Sequence, residues 1–347
     1  MLLDGKRILV TGGTGSLGQV LVRRLLTGEM GWPKKIVVFS RDEAKQHYMR
    51  LNYLHRKVAT DDVIYKNSKE LLAFRIGDVR DYSSFLRAAC DADVVFNAAA
   101  LKQVPSCEYF PYEAVQTNII GAHNLVRAIK EGGAGIELVV GVSTDKACKP
   151  INVMGMTKAI QERVLIQANM ECAKTRFVCV RYGNVVASRG SVVPVFLEQI
   201  VRGGPVTITM KEMTRFLLTL DQAVSTIFAA VKSGERGDTY IPIVPAARMV
   251  DVARILMDGK DIPIVYTGIR PGEKVHEILV SEEESYRTVL REGYYVIRSI
   301  LPEVADTIGQ KKVIDREYSS SNVNLSDEEL KTLLNPYLNQ KEVEVLM

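Results

Sequence analysis

Apolar runs too short for anything but strands alternate with amphipathic stretches through the first half of the chain, and that alternation predicts strands and helices taken in turn. Residues 6–10 read as a strand through Ile8, Leu9 and Val10, after which Val20, Leu21, Leu25 and Leu26 recur at helical spacing. Residues 35–39 make a second strand, 74–79 close a third and 93–96 make a fourth. Beyond Pro105 and Pro111, residues 112–130 read as one helix whose apolar face is Ala114, Val115, Ile119, Leu125, Val126 and Ile129. Asn118 lies inside it, where an amide bridges neighbouring backbones and supports structure. Residues 136–142 are apolar without a break, the pattern of a strand buried on both faces, and Ala159, Val164, Leu165 and Ala168 then mark a further helix. Residues 176–180 are the last strand of this regular series.

The order strand, helix, strand predicts an α/β protein: a Rossmann-type, doubly wound parallel sheet with a smaller C-terminal α/β part for substrate. After residue 183 the alternation loosens. Gly203, Gly204 and Pro205 precede a short strand at 206–209, a helix at 221–232 takes Asp221 as its N-cap, and a strand at 239–244 leads to a helix near 249–256. The tail from Asp315 is polar and holds a capped helix at 326–334. Residues 1–183 and 218–246 are assigned to the dinucleotide-binding domain, and 184–217 and 247–347 to the substrate domain.

Composition narrows the class. A net charge of +4 on 347 residues, with no block of Lys or Arg, argues against a nucleic-acid binder and fits a site for an anionic small molecule. The five cysteines are scattered and lack close metal-type pairs, so they read as reduced thiols with no metal site. No apolar run is long enough to span a bilayer, and the first core strand begins within a few residues of Met1, where a signal peptide would show a charged and then an apolar region. The expectation is a cytoplasmic protein without an integral membrane segment.

The candidate chemistry falls at strand ends. Gly12, Thr14, Gly15, Ser16, Leu17 and Gly18 follow the first strand, and glycines there let backbone approach a pyrophosphate whose charge sits on the helix N-terminus. The second strand ends at Ser40 and Arg41, with Lys45 one turn on. A 2′-phosphate meets Arg or a small hydroxyl at this place and a free ribose meets a carboxylate, so NADP is favoured over NAD. The competing reading leaves Arg41 solvated and gives the ribose to Asp42. Asp78 is placed for the adenine amino group, Val79 for its ring, and the small Ala98, Ala99 and Ala100 for the middle of the cofactor. Lys102, next along, is either a cation for phosphate or sugar, or a surface lysine.

The fifth strand delivers Ser143, Thr144, Asp145 and Lys146, and Met154 and Lys158 share one face of the following helix. Asp145, Lys146 and Lys158 either converge on one point or are the solvated charges of a capped helix. After the sixth strand, Arg181, Tyr182, Gly183, Asn184, Ser188 and Arg189 form a wall of the pocket. Arg270 and Glu273 flank a turn in which the arginine either grips a diphosphate with a bidentate fork or is simply solvated.

With these residues in place the chain resembles, over nearly its whole length, the extended short-chain dehydrogenase/reductase superfamily. Within it, the chain is similar to the inverting UDP-N-acetylglucosamine 4,6-dehydratases. The matching segments are 11–18, 77–81, 98–105, 143–147, 181–193, 213–216 and 268–277. The resemblance implies hydride removal from C4, loss of water across C5 and C6, and return of the hydride to C6. The product would be a UDP-2-acetamido-2,6-dideoxy-4-hexulose, inverted at C5, for surface polysaccharide or glycan synthesis. It further implies Lys146 as the base at C5, Asp145 as the acid for the C6 hydroxyl, Thr144 as the superfamily's hydroxyl residue and Lys158 as the holder of the nicotinamide ribose. Lys102, Asn184, Ser188, Arg189, Arg215, Arg270 and Glu273 would line the UDP-sugar site, in a homo-oligomer, dimer or hexamer. A cation such as Lys158 beside Lys146 would lower the Lys146 pKa and make it a base near neutral pH. One position departs from the superfamily: its tyrosine, four before the lysine, is Met154 here, and a thioether takes no proton. Asp145, Lys146 or an ordered water is left to deprotonate O4. Two other functions compete, a UDP-sugar 4-epimerase, against which Asp145 and Lys146 speak, and a non-catalytic NADP-sensing or scaffold protein.

Overall fold

In the computed structural model, which describes residues 1–55, 71–186, 191–305, 313–322 and 325–338, the apolar runs become strands of one sheet. β1 (Arg7–Thr11), β2 (Lys35–Ser40), β3 (Leu72–Ile76), β4 (Val94–Asn97), β5 (Leu138–Val142) and β6 (Arg176–Val180) all run parallel. The chain then leaves for β7 (Asn184–Val185), β8 (Val206–Ile208) and β9 (Thr214–Leu218), and returns as β10 (Thr239–Pro242). It leaves again for β11 (Ala246–Arg248), β12 (Ile264–Tyr266) and β13 (Ile278–Val280), then comes back as a hairpin, β14 (Thr288–Arg291) and β15 (Tyr294–Ile297). The nine-stranded order is β14-β15-β10-β6-β5-β4-β1-β2-β3. The hairpin, antiparallel to β10, comes from the stretch 247–347.

This order places the site. From β1 the chain winds outward through β2 and β3, then crosses back to β4 and winds the other way. A crevice therefore opens between β1 and β4 at the carboxyl ends of the strands, where such sheets bind ligands. One face is covered by helices Ser16–Leu26 and Leu220–Ser233; Leu21, Val22, Leu25 and Leu26 recur at one-turn spacing and are buried against Ile8, Val10 and Val38. Helices Tyr82–Ala89, Gly121–Lys130 and Val153–Glu171 cover the other face, through Phe85, Leu125 and Leu165. A separate core joins helices Val192–Val201, Met249–Met257 and Asp327–Leu338 to β8 and β9, with β16 (Tyr318–Ser319) pairing β13 nearby.

Two sequence expectations change here. The helix expected over 112–130 is interrupted by a π-helical turn, Val115–Ile120, between Pro111–Ala114 and Gly121–Lys130. The wider turn carries Asn118, whose amide bonds both the N–H (2.9 Å) and the carbonyl (3.0 Å) of Leu101 and the Thr157 hydroxyl (2.9 Å). Such bulges are frequent beside functional sites. The cap of Leu220–Ser233 is Thr219, in a reciprocal capping box with Gln222, and not Asp221, which lies in the first turn and pairs with Arg23 at 3.0 Å. Thr219 wins because its extended backbone precedes the first helical residue, so its hydroxyl faces the open amides. Among the described residues no helix is long and apolar enough to cross a membrane.

Candidate active site

The turn after β1 has the shape a pyrophosphate needs. Gly12 has φ +66°, and a Cβ there would stand 2.8 Å from the Ala99 nitrogen and 2.9 Å from the Ala98 carbonyl. Only glycine permits that approach. Thr11 locks the two loops together, its hydroxyl donating to Asn97 Oδ1 at 2.9 Å and accepting from the Ala99 N–H at 3.1 Å. Gly18 lies against Gly13, so helix Ser16–Leu26 starts tight on the turn. Gly15 is its N-cap and offers no side chain to the first-turn amides, while Thr14, Ser16 and Leu17 line the same turn. The cradle fits a dinucleotide.

At the end of β2, Ser40 accepts from Gln46 at 3.0 Å and Arg41 is half exposed, its guanidinium 3.7 Å from the Asp78 carboxylate. Both acidic groups nearby are engaged. Asp42 pairs with Lys45 at 2.5 Å, and Asp78 accepts from Arg80 at 2.8 Å, which lowers its pKa despite partial burial. Val79 is buried and its carbonyl accepts from Asn124 at 2.9 Å. Ala98 and Ala99 are half-buried and Ala100 is exposed at the end of β4, followed by exposed Lys102.

The carboxyl end of β5 holds the densest chemistry. Thr144 caps a 3-10 turn, Asp145–Ala147, and its hydroxyl donates to Asp145 Oδ1 at 2.9 Å. Lys146 Nζ donates to the same oxygen at 2.9 Å and lies 3.2 Å from Oε1 of Glu277. Asp145 is wholly buried, and burial, with the charge of Glu277 added, raises its pKa although Lys146 opposes this. The expectation for Lys146 is overturned. Burial works against its charge, but Asp145 and Glu277 outweigh burial and raise its pKa. Lys158 is instead the lysine whose pKa falls, to about 8, because burial dominates there. Its Nζ is held by the Val142 carbonyl at 2.5 Å and Gln161 Oε1 at 2.7 Å, with no carboxylate in contact among the described residues and the nearby charge of Glu162 opposing burial in part.

Met154 is buried against Cys107 and Ala114, with Leu101 and Val104 beside them. Asn152 caps its helix, accepting from the Gly155 N–H at 2.7 Å, and donates to the Gly272 carbonyl at 2.7 Å. That bond brings the turn of Arg270 and Glu273 onto the site, with Lys274 reaching the Cys148 carbonyl at 2.6 Å. Arg270 is exposed and Glu273 accepts from Thr209 at 3.3 Å. Arg215 is buried, bound to the Thr214 and Val275 carbonyls and 3.9 Å from Glu277. Asn184 lies in β7, beside β9. Ser188 and Arg189 lie outside the described residues. Arg181 is not part of a pocket wall: it is buried in ion pairs with Glu162 (2.6 Å) and Glu284 (2.8 Å). Ser143 Oγ, Asp145 Oδ2, Asn184 Oδ1 and Glu277 Oε2 are buried without a hydrogen-bond partner among the described residues.

Sequence reasoning missed Glu277 and Asn152. The signal for Asn152 was an Asn three residues before Gly155 at a helix start. Glu277 had only its place at the end of the segment 268–277, which had been read for Arg270 and Glu273.

The sheet order, the glycine cradle and the polar cluster at the end of β5 define a Rossmann-type α/β protein with the short-chain dehydrogenase/reductase fold. Residues 8–299 match the polysaccharide biosynthesis protein family. The UDP-glucose 4-epimerase of Rickettsia prowazekii (strain Madrid E) is 41% identical over 345 residues, 96% of each chain, and that of Rickettsia canadensis (strain McKiel) is 40% identical over the same span. Among solved structures, Pen from Bacillus thuringiensis has a TM-score of 0.85 at 32% identity, covering 97% of this chain and 100% of its own. DesIV, the dTDP-glucose 4,6-dehydratase from Streptomyces venezuelae solved with NAD and TYD bound, has a TM-score of 0.67 at 19% identity, covering 98% and 100%, a likeness of fold. The chain belongs to the polysaccharide biosynthesis protein family.

Proposed function

We propose that this protein is a nucleotide-sugar 4,6-dehydratase acting on UDP-N-acetylglucosamine with NADP, inverting at C5, to make a 6-deoxy-4-keto sugar nucleotide. The observation that carries the reading is the buried Asp145–Lys146 pair, hydrogen-bonded at 2.9 Å at the end of β5. Elimination of water needs a base for one carbon and an acid for the leaving oxygen, and an adjacent carboxyl and amine supply both. The chemistry that a nicotinamide dinucleotide supplies is reversible hydride transfer, and with C4 as a ketone the C5 hydrogen is acidic.

The pair's ionisation suits that task. Lys146 as ammonium with Asp145 as carboxylate holds the same number of protons as the neutral amine with the neutral acid. One transfer across their hydrogen bond converts the first into the second, and burial penalises the charged form, which narrows the gap. In the neutral form the Lys146 amine takes the C5 proton, the C5–H electrons form the C5–C6 double bond, and the C6–O bond breaks as Asp145 protonates the departing oxygen. Lys158, neutral more often than an ordinary lysine, would meet ribose hydroxyls as donor or acceptor. Arg41 at the end of β2 supports NADP, because the carboxylates described at that strand end, Asp42 and Asp78, are already paired with Lys45 and Arg80. Arg215, Arg270, Asn184 and Lys102 would bind the UDP-sugar.

Incubation with UDP-N-acetylglucosamine and NADP in deuterated water tests this. The expected product has lost one water and carries deuterium at C5. A product of unchanged mass, epimeric at C4, would favour the second reading, a UDP-sugar 4-epimerase, which the names of the relatives about 40% identical support.

A further inference from the structure

Glu277 stands just before β13, its backbone N–H donating to Ser320 Oγ at 2.9 Å. Its side chain turns the other way, to Lys146 at 3.2 Å and Arg215 at 3.9 Å. The residue is 2% exposed, and Oε2 has no hydrogen-bond partner among the described residues. A carboxylate buried this deeply is costly unless its charge is matched. Arg215 does not depend on it for placement, since two backbone carbonyls already hold that guanidinium. Lys274 also acts on the Glu277 charge but is held by the Cys148 carbonyl; the ammonium in contact with Glu277 among the described residues is Lys146, which is thereby suspended between two carboxylates brought together from distant parts of the chain.

We propose that Glu277 is a positioning residue of the proton-handling cluster: it holds Lys146 Nζ against Asp145 and stabilises the positive charge that grows on that nitrogen as it takes a proton from the substrate. The inference rests on the reading of Lys146 as the base. In the neutral pair, the amine is the weaker partner of a weakly acidic carbon, and a fixed negative charge 3.2 Å from the nitrogen favours the protonated product of the transfer over the free amine. The same charge disfavours ionisation of Asp145, which keeps the acid loaded. Both groups therefore titrate higher with Glu277 than without it, and because they are coupled the effect belongs to the pair.

Glu277→Gln removes the charge and keeps the shape. The pH–rate bell for dehydration is expected to move to lower pH on both limbs by about one unit or more, with kcat reduced and KM within about twofold of the parent. Glu277→Asp keeps the charge and is expected to leave the bell in place while lowering its height. A bell that stays put in Glu277→Gln, or moves equally in both variants, overturns the proposal. A measurement without sugar separates this from the assignment of the reaction. Reductive methylation of Lys146 as a function of pH, read by mass spectrometry, is expected to set in at lower pH in Glu277→Gln than in the parent. If it sets in at the same pH the proposal fails whatever the reaction; if it shifts but UDP-N-acetylglucosamine is not dehydrated, only the assigned reaction fails. Should Glu277→Gln not fold, the parent decides: a Lys146 that titrates at or below the ordinary lysine value overturns the proposal.

Discussion

The carbonyl of Lys146 occupies the space that a side chain on Gly155 would need. The turn that bears Asp145 and Lys146 and the helix that bears Met154 and Lys158 are thus in backbone contact, and Asn152 fastens the same helix start to the Gly272 loop. The parts of the site are packed into one unit.

Gly155→Ala should separate them. The added methyl has only backbone to meet, so the turn or the helix start must shift, at about 1–3 kcal/mol for overpacking. A fall in thermal midpoint together with a loss of turnover of at least about tenfold is expected, since small misplacements of reacting groups are expensive in rate. Circular dichroism melting and a turnover assay on the same preparation check it; unchanged turnover in a destabilised variant would mean that the contact serves folding alone.

Arg41→Ala tests the cofactor. Its guanidinium is half exposed at the end of β2, and a charge-assisted bond to a 2′-phosphate is worth about 1.5–3 kcal/mol. NADPH binding, followed by fluorescence titration, should weaken by about tenfold or more, with NADH binding little changed. Equal weakening of both dinucleotides would argue that Arg41 does not read the 2′ position.

How far the residues alone foretold this site depends on the distance over which its parts interact. The parallel strands were legible because each is buried on both faces and reads as an unbroken apolar run. Asp145 and Lys146 were legible because they are neighbours at a strand end. The hairpin of β14 and β15 was hard to read because its two-residue turn, where Glu292 and Gly293 both have positive φ (48° and 81°), starts on a glutamate and not on the Asn, Asp or Gly that usually marks such a turn. Glu277 was not legible, since its meaning lies in a contact across the fold with Lys146. The ionisation of the two lysines inverted for the same reason. Helical spacing puts Lys158 on the site's side of its helix, but only packing shows that a carbonyl and an amide meet its nitrogen while carboxylates meet Lys146.

Lys158 has a consequence for stability. Its pKa of about 8 lies below the unfolded value near 10.5, so between those pH values the unfolded chain binds more protons than the folded one. Through that window this group makes the folded state more stable as pH rises, by at most about 1.4 kcal/mol per pH unit; below about pH 8 the buried ammonium is a burden. Lys158→Met should remove the slope. Urea unfolding of parent and variant at pH 7.5 and 9.5 (about those values, to bracket the folded pKa) checks it, with the parent gaining on the variant as pH rises. A constant difference would place the Lys158 pKa outside this range.

Met154→Tyr asks whether the missing phenol limits the reaction. Met154 is 5% exposed and packed against the apolar side chains of Cys107, Ala114, Leu101, Val104 and Val153. A tyrosine there must either force the pocket open, at about 1–3 kcal/mol, or turn its ring toward the crevice. On the reading that Asp145 and Lys146 move both protons of the elimination and that loss of the O4 proton is not the slow step, Met154→Tyr should turn over no faster than the parent and melt lower. Met154→Leu, which conserves volume and polarity, should stay within a few-fold of the parent in turnover, with a stability change below about 1.5 kcal/mol. A large rise in turnover for Met154→Tyr would show that deprotonation of O4 is slow in the parent.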